Sequence, residues 1–80
     1  MTKAFILVNT PDGEEKRVLD LLKKKKYVSE TYPTDKGVYD VIAKIELDNM
    51  DLLKNEITKI KREGSRYIDK IETLVVSEST

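Results

Sequence analysis

The sequence predicts an α+β fold of the ferredoxin-like kind, with elements in the order βαββαβ. Four apolar or alternating segments have the length of strands, two amphipathic segments have a helical period, and the connections between them are short. In this arrangement a four-stranded antiparallel sheet carries two helices on one face. The 80 residues are expected to form a single domain over 1–80.

The chain begins with a strand and a helix. Residues 4–8 form a continuous apolar run closed by turn residues, which indicates a strand buried on both faces. Asp12, with Glu15 as its capping-box partner, is expected to cap the following helix. Thr10, with Pro11 at the first helical position, is the alternative cap. The helix is predicted to run to about Lys25, with the apolar stripe Val18, Leu19, Leu21 and Leu22.

A hairpin is predicted in the middle of the chain. Residues 27–32 are rich in strand formers, and Pro33 follows them and ends the strand or places it at an edge. Turn residues occupy 34–37. The next strand is predicted over 37–45, and its period of two places one set of side chains on a core face. The predicted core-face residues are Tyr39, Val41, Ala43, Ile45 and Leu47.

The second half repeats the pattern of helix and strand. Asp48 and Asn49 are expected to cap a helix that ends at Gly64. A strand is predicted over 67–76, and residues 77–80 are expected to fray. The helix carries the apolar stripe Met50, Leu53, Ile57 and Ile60.

Composition argues against several classes of function. The chain has no cysteine and no histidine, which excludes disulfides and thiolate metal sites and removes the usual general base. No nucleotide-binding loop or nucleophile elbow occurs. We therefore expect no enzyme activity and no cofactor.

Charge and hydropathy bear on partners and location. Fifteen basic residues balance fifteen acidic ones, and the only dense basic run, 23–26, fits a helix C-terminus, so direct nucleic-acid binding is not expected. No membrane span or signal peptide is evident, which favours a cytoplasmic protein. Abundant charge without glutamine is typical of a thermophilic source.

One face of the predicted sheet lacks a cover. Two helices can shield only one face, yet residues 5–8 and 74–76 are apolar on both faces and Ile42 adds to the uncovered side. Such a patch usually marks an interface. We expect a homodimer formed by contact between sheets, the alternative being a monomer with scattered apolar surface residues.

The start of the third strand is the candidate ligand site. Gly37 permits a tight turn and close approach of a ligand, and the Asp40 carboxylate is suited to accept hydrogen bonds from an ammonium group. Tyr39 supplies bulk, although its phase favours a core role. The alternative is a hairpin glycine followed by a strand-end aspartate that bonds a neighbouring loop.

Several segments together resemble a known family. They are Val28-x-Glu30-x-Tyr32, the segment Gly37-x-Tyr39-Asp40-Val41-Ile42-x-Lys44-Ile45, and Thr73 before Leu74-Val75-Val76. The chain resembles the RAM (regulation of amino acid metabolism) effector domain of the leucine-responsive regulator (Lrp/AsnC) family, over its whole length. The segment from Gly37 is the most specific part of the match.

The resemblance implies a ferredoxin-like domain that dimerises through its sheets, with dimers often joining into octamers. It implies binding of an amino acid or related effector near Gly37, Tyr39, Asp40 and Thr73, whereas Ile71 replaces a threonine common in the family. It also implies a stand-alone module without the DNA-binding domain, one that modulates transcription by assembling with full-length regulators. A purely structural oligomerisation module and a cofactor-free dimeric enzyme are the alternatives.

Overall fold

The computed structural model describes residues 2–34 and 37–76. The predicted turn over 34–37 lies partly outside the described residues, and the predicted frayed tail over 77–80 lies wholly outside them. The element order confirms the prediction. It is β1 (Thr2–Asn9), α1 (Glu15–Lys23), β2 (Val28–Pro33), β3 (Val41–Leu47), α2 (Met50–Glu63) and β4 (Lys70–Val75).

The four strands form one sheet in the order β2-β3-β1-β4, and every adjacent pair is antiparallel. Each central strand therefore lies between two others, and β2 and β4 are the edges. Leu7 lies opposite Ile42 on β3 and Glu72 on β4. This register fixes which side chains share a face, because neighbours across antiparallel strands point to the same side.

The core lies between the sheet and the helices. Alternate residues of β1 and β3 are buried, as the period-two pattern predicts. Each helix contributes part of its apolar stripe, while Met50 at the start of α2 remains 42% exposed. The buried core consists of Ala4, Ile6, Val8, Val18, Leu22, Val41, Ala43, Ile45, Leu47, Leu53 and Ile60.

The two helices begin in different ways. Asn49 caps α2 as expected, because its side chain accepts a hydrogen bond from the amide of Leu52 at 2.9 Å. Asp12, or alternatively Thr10, was predicted to cap α1, and neither residue does so. Glu14 occupies the N-cap position and makes no side-chain cap bond, so α1 starts later than the turn chemistry indicated.

Gly64 ends α2, as predicted, but without a left-handed conformation. Its φ is −100°, whereas the usual glycine stop has a positive φ. Packing explains the glycine instead. A Cβ at this position would lie 2.7 Å from Cδ1 of Ile68 and 2.9 Å from Cδ2 of Leu21.

The last strand is shorter than predicted at its start. Tyr67 and Ile68 belong to a turn, which is closed by hydrogen bonds from both amides to the carbonyl of Gly64. The Tyr67 ring instead packs outside the sheet, with the Arg17 guanidinium 5.2 Å from its centroid. Tyr67 and Ile68 pack against the hydrophobic core from this turn and are not part of a strand.

The face of the sheet away from the helices, here called the open face, is not covered by any of the residues that the structure describes. It carries half-buried apolar side chains on the central strands, Phe5, Leu7 and Ile42, and the 55% exposed Leu74 on the edge. Polar neighbours such as Lys44 and Glu46, which form an ion pair at 3.5 Å, complete it. Within 2–34 and 37–76, neither helix has the length and apolar character needed to cross a membrane.

Candidate functional site

The candidate site lies where β1 ends and β3 begins. Gly37 has a φ of +126°, a conformation that side-chain-bearing residues rarely adopt. The strand ladder starts at Val41, so residues 37–40 form the approach to β3 rather than its first residues. Val38, between Gly37 and Tyr39, is 75% exposed.

Asp40 joins this approach to the end of β1. Its Oδ2 accepts a hydrogen bond from the amide of Thr10 at 2.9 Å, and its own amide donates to the carbonyl of Val8 at 2.9 Å. Oδ2 of Asp40 therefore links the approach to β3 with the end of β1. Among residues 2–34 and 37–76 no donor is bonded to Oδ1, the oxygen that a further donor could use.

Tyr39 does not enter the core, although its phase with Val41 favoured that role. It is half-buried, and its hydroxyl donates a hydrogen bond to the Glu72 carboxylate. Glu72 shares the open face with Leu7, its cross-strand partner. The phase argument fails because the extended strand begins only at Val41, after a bend at Asp40.

The Tyr39–Glu72 hydrogen bond perturbs both groups. It raises the pKa of Tyr39, because ionised tyrosine could no longer donate to a carboxylate. It lowers the pKa of Glu72, and Lys70, whose Nζ is 3.6 Å from Oε1 of Glu72, acts in the same direction. Glu72 is therefore held as an anion at neutral pH, beside the Tyr39 hydroxyl.

Two further polar atoms at this end of the sheet are buried without a hydrogen-bond partner among the described residues. They are Oδ1 of Asn9 and Oγ1 of Thr10, and Thr10 as a whole is only 7% exposed. Asn9 pairs with Lys70 across the strands, so its side chain shares the open face with Glu72. Buried polar atoms are normally satisfied by protein, water or ligand, so these two mark places for a donor.

Thr73, the fourth residue of the predicted site, points away from the other three. It pairs with Ile6 and is half-buried on the helix side of the sheet. There it lines a groove of about 320 Å³ between β4 and α2, with Met50, Ile57 and Lys61 among its neighbours. Within one chain, Tyr39 bonds Glu72 and Asp40 bonds Thr10, whereas Thr73 lies on the other face of the sheet.

Sequence reasoning missed Asn9, Thr10 and Glu72. The first two read as turn residues closing a strand, and Glu72 as one polar residue of an alternating strand. Only the register, which brings β1 and β4 beside the approach to β3, joins them to Tyr39 and Asp40. The side chains of residues 2–34 and 37–76 contain no group of three carboxylates suited to a metal ion.

Comparisons with known proteins agree with this architecture. FFRP-DM1 is 34% identical, with 96% of this chain and 100% of that chain covered and a TM-score of 0.86. The protein PHS023 from Pyrococcus horikoshii is 33% identical, with 99% and 93% covered and a TM-score of 0.85. No family model matches the chain, and no curated protein matches it.

Longer proteins share the fold over part of their length. AsnC from E. coli is 23% identical, with a TM-score of 0.86, and the chain spans 52% of it. The siroheme decarboxylase NirDL is 18% identical, with a TM-score of 0.86, and the chain spans 26% of it. Both likenesses cover 98% of this chain.

The fold and the open face define a ferredoxin-like α+β domain of the RAM type. The chain belongs to the Lrp/AsnC family. It matches FFRP-DM1 and PHS023 over nearly their whole length and spans about half of the AsnC chain.

Proposed function

We propose that this chain is a regulatory module that binds an amino acid, or a related small metabolite with an ammonium group, where β1, β3 and β4 meet. The observation that carries the proposal is the set of acceptors there. The carboxylates of Asp40 and Glu72 and the unpartnered amide oxygen of Asn9 lie within one hydrogen-bonded and strand-paired cluster. Oxygen acceptors of this kind suit an ammonium donor.

The Tyr39 hydroxyl orients the cluster. Because it donates to Glu72, it fixes that carboxylate on the open face. Gly37, with its positive φ, lets the backbone pass close to a ligand without a Cβ in the way. The donors described at this end, the Tyr39 hydroxyl and the Lys70 ammonium, already contact Glu72, so we propose that a second subunit supplies donors for the carboxylate of the ligand.

The composition of the open face supports the proposal that chains assemble through it. The apolar side chains Phe5, Leu7, Ile42 and Leu74 form a contiguous patch, because Leu7 faces Ile42 and Phe5 faces Leu74 across the strands. Apolar patches of this kind usually mark interfaces, and a two-fold contact between copies is the commonest solution. We propose a homodimer, with a tetramer of dimers as the larger assembly.

The regulatory role rests on family membership. The comparisons include a protein described as an AsnC family transcriptional regulator from Agrobacterium tumefaciens. We propose that this module modulates transcription by assembling with full-length Lrp/AsnC-type regulators rather than by contacting DNA, in keeping with its balanced charge. We also propose that the chain acts in the cytoplasm.

A panel of the twenty amino acids, measured by thermal shift and titration calorimetry, tests the binding proposal. We expect saturable binding of at least one amino acid to the native protein and weaker binding to Asp40→Asn, which keeps the shape of the side chain but removes its charge. Asp20→Asn is the matched control, because Asp20 is exposed on α1, on the other side of the sheet. If no amino acid bound at millimolar concentration, the proposal would be rejected.

A purely structural oligomerisation module is the second candidate. The bond from the Thr10 amide to Asp40 favours it, since this contact gives the aspartate a role without any ligand. This reading predicts a stable assembly whose melting temperature is indifferent to every amino acid. The likeness to NirDL concerns the fold alone, and we propose no catalytic activity.

A further inference from the structure

An apolar groove of about 320 Å³ separates α2 from the edge strand β4 on the helix side of the sheet. Val75 of β4 lines it. This residue pairs with the buried Ala4 and so shares the helix side, yet it is 49% exposed. Met50, at the start of α2, is 42% exposed, and Ile57 on the same helix is half-buried. Adjoining apolar side chains that remain accessible in this way usually mark a contact surface.

Two lysines border the apolar part of the groove. Lys54 and Lys61 both line it, and both residues are exposed. Neither ammonium group forms an ion pair with a carboxylate of residues 2–34 or 37–76. The described residues that line the groove include no acid, since the others are Leu53, Thr58 and Thr73. The groove is therefore locally basic, although the chain as a whole carries no net charge.

The spacing of these side chains along α2 matches one side of a pair of helices. Met50 and Ile57 are seven residues apart, and each is followed four residues later by a lysine, Lys54 or Lys61. In coiled coils, apolar residues at this spacing form the seam, and charges four positions later flank it and select the partner. Seven residues of helix span about 10.5 Å, or two turns. The pattern suits a second helix with an apolar stripe and flanking carboxylates.

We propose that the groove between α2 and β4 docks an acidic amphipathic helix of another protein. The apolar stripe of that helix packs on Met50, Ile57 and Val75, and its flanking carboxylates pair with Lys54 and Lys61. A second copy of this chain is the poorer occupant, because a two-fold contact would bring the lysines of both copies into one interface. Nucleic acid is also poorer, because phosphates make no use of the exposed apolar side chains.

The groove remains accessible in the proposed dimer. It lies on the helix side of the sheet, whereas the dimer buries the open face, so each chain would present one groove. None of Tyr39, Asp40 and Glu72 lines it. The docking surface is therefore separate from the proposed amino-acid site, and either proposal can fail without the other.

The probe is a labelled synthetic helix of about three heptads, with leucine at positions a and d and glutamate at e and g. A matched peptide carries lysine at e and g instead. Fluorescence anisotropy gives the affinities, and the amide chemical shifts of the protein locate the contact. We expect the acidic peptide to bind with a Kd on the order of 10 µM and to shift residues 50–61. The lysine peptide should bind at least roughly tenfold more weakly.

A charge reversal tests the pairing directly. The double variant Lys54→Glu/Lys61→Glu changes two exposed residues, so the fold should remain intact. It should bind the acidic peptide at least roughly tenfold more weakly than the native protein and should gain affinity for the lysine peptide. Lys16→Glu/Lys23→Glu is the matched control, because it changes the net charge equally at exposed residues of α1. It should bind both peptides nearly as the native protein does.

A third variant tests the apolar contact. Met50→Gln keeps the length of the side chain and both lysines, and it should weaken binding of the acidic peptide by roughly threefold or more. Because Met50 is 42% exposed, this change should leave the fold intact. Unchanged affinity in this variant would show attraction between charges alone and would refute docking of an amphipathic helix.

Four other results would overturn the proposal. The first is no shift in residues 50–61 with the acidic peptide at about 100 µM, and the second is equal binding of the two peptides. The third is native affinity in Lys54→Glu/Lys61→Glu, shown to be folded by circular dichroism. The fourth is another occupant: tighter binding of mixed-sequence duplex DNA that the double variant loses, or an oligomer that the double variant dissociates and Ile42→Lys does not.

Discussion

The Tyr39 hydroxyl donates a hydrogen bond to the Glu72 carboxylate, 33 residues further along the chain. Because β1 separates β3 from β4, this contact spans a central strand and joins the approach to β3 with an edge strand. The bond lies at one end of the open face, where the approach to β3 contacts β4. It also makes the ionisation of Glu72 part of the stability of the fold.

The Tyr39–Glu72 bond predicts a dependence of stability on pH. The pKa of Glu72 is lower in the folded protein, so the unfolded chain binds more protons in acid, and the contribution of the bond is lost as the pH falls through the folded-state pKa. We expect Tyr39→Phe to be less stable than the native protein at neutral pH. The difference between their free energies of unfolding should narrow as the pH falls below 4.5, the ordinary pKa of a glutamate. Urea unfolding between about pH 3 and pH 7 measures this.

A double-mutant cycle provides the control. In a Glu72→Gln background, Tyr39→Phe should have an effect that does not change with pH over the acidic range. If the difference between the native protein and Tyr39→Phe were constant from neutral pH into acid, the ionised Glu72 would not be the acceptor.

Two substitutions of Asp40 separate the loss of its charge from the loss of its hydrogen-bond acceptor. Asp40→Ala leaves the amide of Thr10, a residue that is 7% exposed, without its partner, and should lower the free energy of unfolding by about 1–3 kcal/mol. Asp40→Asn keeps an acceptor oxygen and should cost less than half as much. Chemical unfolding compares the two, and equal losses would contradict this role of the carboxylate oxygen.

Asn49 should contribute to stability through its cap. Asn49→Ala removes the acceptor for the Leu52 amide and should lower the free energy of unfolding by about 1 kcal/mol. Asn55→Ala is the matched control, because Asn55 is exposed in the middle of the same helix and alanine is the better helix former. Thermal unfolding should therefore show a loss only for Asn49→Ala.

Ile42 tests the assembly. Ile42→Lys places a charge in the centre of the open face, opposite Leu7, and should convert the proposed dimer to a monomer at micromolar concentration. Light scattering coupled to gel filtration gives the mass, and Asp20→Lys on the helical layer should leave it unchanged. A native protein that already has the mass of one chain would refute the dimer.

Much of the fold follows from local patterns. The alternation from Val41 to Leu47 and the helical stripe through Leu53 and Ile60 are strong periodic signals. The strand buries its predicted face from Val41 onward, and the helix buries Leu53 and Ile60 of its predicted stripe. The start of α1 was predicted wrongly because several residues of the turn, among them Thr10 and Asp12, have equally good capping chemistry. None of these side chains caps the helix, which begins after Glu14 without a side-chain cap bond.

The candidate site was less accessible from sequence. Gly37, Tyr39 and Asp40 are close together in the chain, so a short motif could point to them. Asn9 and Glu72 join them only through strand register, which no local pattern specifies. Thr73 is separated from them by the alternation of the strand, since neighbouring residues of β4 point to opposite faces.

The two edges of the sheet differ in what they can accept. β2 ends in Pro33, which lacks an amide hydrogen, and its register shifts between Val28 and Glu30, so a new strand finds no regular ladder there. β4 has no proline and exposes Leu74 and Val75. Growth by strand addition is therefore possible on one side only, and pairing of two β4 edges would end as a closed pair instead of continuing into a filament.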